Sequence, residues 1–302
     1  MKHSNYFFLL VINLFLILPL AKGQHVLDST KLFQIKTVDG NEYLGNIQSE
    51  DSLKISLLTS RLGTLEIPRG EIIEIIRIES KRVKAGKVWF ENPQSSRYFW
   101  SPNGYGLRKG EGYYQNIWVL WNQASIGITN RISIGAGMIP LFLFTAPYTP
   151  VWVVPKISIP VVKDKFNIGL GAFVGGILGE DATGFGILYG SGTIGNRDNN
   201  FTFGLGYGYA GGELAKRPIV NISMMTRVSS KTYLLSENYY LNSGGDELVL
   251  LSFGARSFSR SLGIDYGLFA PISESFRIAI PWLGITVPFG KASTPSRSIS
   301  HK

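Results

Sequence analysis

The residue types that most often carry acid–base or metal chemistry are scarce in this sequence. Histidine occurs only as His3, His25 and His301, close to the two ends, and cysteine is absent. The body of the chain therefore has no local Ser-His-acid arrangement and no histidine-based metal centre. It has no disulfide frame and no thiol chemistry either. Two acidic pairs remain, Glu180-Asp181 and Asp246-Glu247. Neither has the ligand spacing of a calcium loop, so solvated loop charge is the plain reading. An enzyme using loop carboxylates such as Glu180 and Asp181 is the alternative. Gly190-Ser191-Gly192-Thr193-Ile194-Gly195 matches the dinucleotide fingerprint as a string, but Asn196-Arg197-Asp198 follows it as a turn, where phosphate binding needs a helix. The sequence thus predicts no catalytic residue, no cofactor and no bound metal. The charges it does single out are Lys156, Arg227, Arg256 and Asp265, which fall on the sparsely filled parity of extended segments.

What would position those charges is visible in Phe201 to Ala210. Phe201, Phe203, Leu205, Tyr207 and Tyr209 share one face of a strand, while Thr202, Gly204, Gly206 and Gly208 share the other. A soluble sheet turns bulk inward and polar groups outward, whereas here the non-bulky face carries almost no charge. Bulk facing lipid and small residues facing a lumen is the pattern of a transmembrane β-barrel strand, which needs about 10 residues to cross. Segments of this kind recur at 97–105, 113–129, 132–144, 151–162, 166–177 and 185–194. They continue at 201–210, 219–228, 233–240, 248–258, 262–270 and 276–289. The expected fold class is all-β, an antiparallel transmembrane barrel of twelve strands, with ten as the fallback because Ser101-Pro102-Asn103-Gly104 interrupts the first segment. Short polar connections at Asn130-Arg131, 163–165, 195–200, 229–232 and 259–261 alternate with generally longer ones at 145–150, 178–184, 211–218 and 241–247. The short set and both ends are expected on the periplasmic side.

Composition agrees with this: 44% hydrophobic and 17% charged residues are too apolar for a disordered chain. After the first residues no window offers the 20 or so uninterrupted apolar residues of a membrane helix. Lys2 and His3 precede an apolar run to Leu20 and the small-residue exit Ala21-Lys22-Gly23, the layout of a cleaved signal peptide, residues 1–23, with an uncleaved anchor as the competing reading. Residues 24–80 form a small periplasmic β domain, 81–94 a basic linker entering the membrane interface, 95–289 the barrel and 290–302 a polar tail. A plug formed by the linker is the less favoured reading. The net charge of +9 is spread through turns and linkers, which points away from nucleic acid and toward anionic lipid heads or peptidoglycan.

Pro140, Pro155, Pro160 and Pro281 fall inside extended segments and would break a ladder, so bulges are expected, above all at Pro281, where the apolar parity changes. Lumen positions such as Asn167, Gly169, Gly171, Gly263 and Gly267 are small, which fits a lumen that is open or one filled by a loop or the linker. Arg256 and Asp265 share one hairpin at the distance of a diagonal ion pair, more readily structural than ion-selective. Trp118 and Trp121 belong to an aromatic girdle or, alternatively, to a carbohydrate platform.

Two resemblances add to this reading. The run from Thr37 to Ile47, with Asp51 and Leu53, resembles the first motif of Sm-like small barrels, which implies five strands rolled as in SH3-like domains over about 50 residues. Leu107 to Asn116, Ile126 to Gly135 and Pro281 to Phe289 resemble an uncharacterised family of exported outer-membrane barrel proteins, over residues 90–290 or so. This second likeness implies a fold and a place, the outer membrane of a Gram-negative bacterium with the small domain in the periplasm, and no substrate. The function expected is pore, transport component or structural envelope anchor. Outer-membrane lipid is the expected partner, with peptidoglycan or a periplasmic protein as candidates for the small domain. A soluble secreted all-β binding protein is the remaining alternative.

Overall fold

Alternation of side-chain size governs the backbone through most of the chain. The computed structural model describes residues 27–28, 31–79, 82–84, 87–146, 148–179, 184–243, 246–259, 262–273 and 278–290. The expected signal peptide, the tail beyond Gly290, the three histidines and Glu180-Asp181 lie outside them. The described residues form two compact units, one ending at Val88 and one beginning at Trp89.

In the first unit, β1 (Leu32–Thr37), β2 (Glu42–Glu50), β3 (Lys54–Thr59), β4 (Gly63–Pro68) and β5 (Ile72–Ile78) build one antiparallel sheet in the order β4-β3-β2-β1-β5. Ile35, Ile55, Leu57, Ile67 and Ile75 form its core. The isoleucines of residues 72–78, which also fit a helical face, are a strand paired along β1, with Ile75 in this core and Ile72 packed against it. No ladder joins the edges β4 and β5 among the described residues, so the expected closed small barrel is found as five antiparallel strands with one core. The β1–β2 turn is made by Asp39-Gly40: Gly40 takes φ +85°, and Asp39 accepts hydrogen bonds from Thr37 Oγ1, the Asn41 amide and the Asn41 side chain. Two short strands, β6 (Val83–Lys84) and β7 (Lys87–Val88), pair as a ribbon after the sheet.

The second unit is a closed cylinder. Its strands are β8 (Glu111–Ile117), β9 (Trp121–Gly127), β10 (Ile132–Met138), β11 (Thr149–Val162), β12 (Phe166–Leu178) and β13 (Phe185–Gly195). They continue with β14 (Asn200–Ala210), the stub β15 (Glu213–Leu214), β16 (Ile219–Arg227), β17 (Thr232–Ser243), β18 (Asp246–Ser259), β19 (Leu262–Ile272) and β20 (Ile280–Gly290). Each spanning strand pairs antiparallel with the next, and β20 returns to β8, which closes a twelve-stranded barrel. Closure matters because lipid offers no partner to an unpaired strand edge.

On β14 the alternation is complete: Phe201, Phe203, Leu205 and Tyr207 are 44–46% exposed, while Asn200, Thr202, Gly204 and Gly206 are buried. Ile126, Ile134, Ile157, Leu170, Leu188, Leu251 and Leu283 continue that exterior belt on other strands. Full burial of such a side chain is worth about 1.5–3 kcal/mol and roughly half of each is uncovered here, so a continuous belt of them favours hydrocarbon over water. With its even strand number and one rim of tight turns, this is a barrel of outer-membrane type.

Three expectations change. Residues 97–105 are not a strand of the wall, and residues 113–129 are two strands, so the total of twelve stands on a different set of segments. The missed turn is Trp118-Val119-Leu120, where Trp118 and Val119 take φ +50° and +67° without glycine's help. It is held by Trp118 N–H donating to Leu283 O, its indole to Pro281 O, and Val119 N–H to Asn116 Oδ1. Pro281 carries no bulge: the β19–β20 register runs unbroken through Leu268↔Pro281 and Phe269↔Ile280, and Pro281 is the second residue of its strand, where a missing donor is tolerated. Pro140 lies past the end of β10, whereas the ladder does shift between Pro160 and Val162.

Hydrogen bonds from Thr37 and then Asn41 hold the Asp39 carboxyl below its ordinary value, and amides of Leu53 and Lys54 do the same for Asp51. A depressed folded-state pKa stabilises above the unfolded value of about 4 and loses that contribution as pH falls through the folded value. Hydrogen-exchange protection of β1–β3 in the whole protein should therefore fall between pH 5 and 3. The double variant Asp39→Asn, Asp51→Asn should flatten that slope; an unchanged slope contradicts the assignment.

Candidate functional site

Residues 92–107 enter the lumen from the short-turn rim, double back and leave by the same rim. The base of this strap is clamped where Arg108 pairs with Glu91 at 2.6 Å. Beside it, at the inner end of β16, Arg227 packs over the Trp89 ring at 4.8 Å, donates to Phe90 O and pairs with Asp198. The reversal is a tight one, with Tyr98 N–H donating to Ser101 O and a bridge between Arg97 and Pro102. Arg97, Tyr98, Phe99 and Asn103 are no more than 2% exposed, so the strap fills the middle of the lumen. The expectation of a solvated linker over 81–94 leading into a strand is corrected accordingly: from Asn92 onward the chain is inside the barrel.

Irregular backbone at this depth needs partners, and the wall provides them. Arg256 and Asp265 face each other as direct Cα partners of β18 and β19, not diagonally. Arg256 donates from Nε to Asp265 Oδ1 at 2.5 Å and from Nη2 to Oδ2 at 2.8 Å, a bidentate pair. Arg97 of the strap joins them, donating to Asp265 Oδ2 at 3.1 Å and to Thr286 Oγ1 at 2.7 Å. The two guanidiniums then turn their remaining donors on strap carbonyls: Arg97 on Tyr98 O and Phe99 O, Arg256 on Gln94 O and Tyr98 O. Lys156 donates to Ser96 O and Tyr105 O, and Arg197 donates to Ser95 Oγ and Gly106 O. On the opposite sign, Glu237 Oε2 accepts the amides of Trp100 and Ser101, while Tyr239 donates to Oε1.

Neutral contacts finish the seal. Tyr98 donates to Asn200 Oδ1 at 2.7 Å and lies 2.6 Å from Thr202 Oγ1. Gly104 N–H donates to Thr193 Oγ1, and a Cβ at Gly104 would come within 2.4 Å of Asn167 O, so only glycine lets the strap approach β12. Toward the outer ends of the strands, Trp100 meets Trp121 edge-on at 5.6 Å, and Trp121 stacks on Trp152 at 3.8 Å. Trp121 therefore faces the lumen, not a girdle; Trp118 is the partly exposed member of the expected pair.

Of the four charges chosen by parity, Lys156, Arg256 and Asp265 sit together around the strap and Arg227 stands at its entrance. Sequence reasoning missed Arg97, Arg197 and Glu237. Glu237 alternates with Tyr233, Leu235 and Tyr239 on β17, where the bulky parity faces inward, so the size rule placed it outside; Arg97 was hidden by its assignment to the wall. Gly190 to Gly195 lies in β13 as an ordinary strand segment. Among the described residues no group of three or more His, Asp or Glu could hold a metal ion.

Removing one partner of a buried ion network costs about 3–5 kcal/mol, because the other charge is left unpaired. Asp265→Asn should therefore lower the temperature at which the heat-modifiable band unfolds, and by more than Tyr98→Phe, which deletes only neutral hydrogen bonds worth about 1 kcal/mol each. Equal shifts for the two variants would refute the role given to Asp265.

No protein family and no curated protein matches the chain. Among solved structures it aligns with the KdgM porin at a TM-score of 0.45 and 8% identity, covering 60% of this chain and 98% of that one. It also aligns with a loop L8 deletion mutant of OmpT, an outer membrane protein of Vibrio cholerae, at a TM-score of 0.36 and 9% identity, covering 85% and 96% respectively.

Proposed function

We propose that the chain is a barrel of the Gram-negative outer membrane, sealed at rest by its own strap, which anchors the small β domain on the periplasmic side. The observation that carries this reading is the strap itself. Its backbone is held across the middle of the lumen by charges of both signs, in the space that an aqueous path would have to use. The apolar belt supports the membrane assignment. The orientation follows from one rim having only short connections, while the other carries the longer ones, such as those after β10 and β19. Both barrel ends lie at that short-turn rim, which in bacterial barrels is the periplasmic one. The small domain precedes the strap in sequence and so belongs to the same side. Docking of that domain to peptidoglycan or to a periplasmic protein completes an anchoring role.

Planar-bilayer recordings test the seal. The whole protein should show little ohmic conductance, and replacing residues 94–106 by a Gly-Ser linker of equal length should raise it on the order of tenfold, toward an unplugged twelve-stranded barrel. A wild-type conductance already as large as that of the replacement would sink the anchor reading in favour of an open pore.

A further inference from the structure

Beside the strap the lumen keeps a cavity of about 120 Å³. That is an order of magnitude above the roughly 10–15 Å³ that admits one water. Its lining is divided by height. At mid-lumen it meets Lys156, Ser133 and Ser191, with Ser133 and Lys156 direct partners across β10 and β11. Nearer the outer ends of the strands it meets Val154, Ile187 and Ile219, each on the lumen face of its strand. One end is therefore cationic and hydroxylated, while the other offers Val154, Ile187, Ile219 and Phe173 beside the amide of Gln123, which is already bonded to Ser125 and Trp152.

Lys156 is the second observation. It is 6% exposed, and its ammonium has three donors, of which two are used on Ser96 O and Tyr105 O. Among the described residues it has no carboxylate. Asp265 is taken by Arg97 and Arg256, Asp198 pairs with Arg227, and Glu237 accepts amides of the strap. A buried charge without a counter-charge is costly, and an anion in the adjoining cavity would supply both the charge and the third acceptor.

We propose that this cavity binds a small amphiphilic carboxylate, its head on Lys156 and the serine hydroxyls and its apolar body against Val154, Ile187 and Ile219. The site shares Lys156 with the seal, while the strap stays in place and forms its floor. Trp100 also lines the cavity and reports occupancy by fluorescence.

The test titrates the whole purified protein with benzoate, with benzyl alcohol as the neutral analogue, following tryptophan emission and calorimetric heat. Benzoate should bind saturably and at least tenfold more tightly than benzyl alcohol. Lys156→Gln should weaken benzoate at least tenfold while Lys156→Arg preserves it, with folding checked by heat-modifiable migration. Should Lys156→Gln fail to fold, Ile187→Trp, which fills the apolar end and leaves the ammonium in place, should abolish binding on its own. Absence of saturable binding, equal affinity for the alcohol, or binding untouched by Ile187→Trp would each overturn the proposal.

Discussion

Peptide groups placed at membrane depth outside a helix or a closed ladder must find donors and acceptors from side chains, because neither lipid nor a packed lumen supplies water. Residues 92–107 impose that requirement on this barrel, and its interior chemistry follows from it. Carbonyls of residues 94, 96, 98, 99, 105 and 106 are served by Arg256, Lys156, Arg97 and Arg197, and the amides of residues 100 and 101 by Glu237. Charges in a barrel interior usually suggest ion selection. Here they act mainly as fixed substitutes for the solvent that the strap's backbone has lost. Asp265 holds the arrangement together, since it lets two guanidiniums lie side by side with their charge partly met and their spare donors free for carbonyls.

Size obeys the same requirement as charge. A Cβ at Gly169 would come within 2.9 Å of Asn103 O, and one at Gly127 within 2.1 Å of Arg108 O, both atoms of the strap or its base. At these two positions the small inward parity is the imprint of a chain lying against the wall, while Gly171, Gly204 and Gly254 meet neighbouring wall strands instead. Read alone it implies only spare room, because water and a folded segment demand the same clearance. What identifies the filler is complementary bulk, and Tyr98, Phe99, Trp100 and Tyr105 supply it within one short segment.

The wall of the barrel was legible because bulk outside and small residues inside make a period-two signal independent of neighbours, as β14 demonstrates. The small domain was legible because its turns are written with Asp-Gly and similar pairs. Two places were not. Residues 97–105 alternate well enough to pass for a strand, yet Arg97 is buried by a carboxylate 168 residues away, which no local pattern encodes. The β8–β9 turn is built from Trp, Val and Leu, and its positive φ values are stabilised by bonds to β20, on the far side of the closure, so the sequence carries no turn signal there. The two omissions cancelled in the strand count while misplacing the segment on which function turns.

Re-entry also bears on how such a barrel forms. A plug threaded from one rim to the other would have to be in place before the wall closed, or be drawn through it. This strap enters beside Arg227, reverses between Tyr98 and Ser101, and returns to Arg108, so that both its ends stand at the short-turn rim with Glu91 clamped to Arg108. β8 can therefore pair with β20 first, and the hairpin can fold in afterwards from that rim without breaking a single ladder bond. Only its tip must travel far, and the tip carries Phe99 and Trp100, which Trp282 and Trp121 receive near the outer ends of the strands. Aromatic burial at the tip and charge pairing along the stem thus act at different depths, and the strap is held at both.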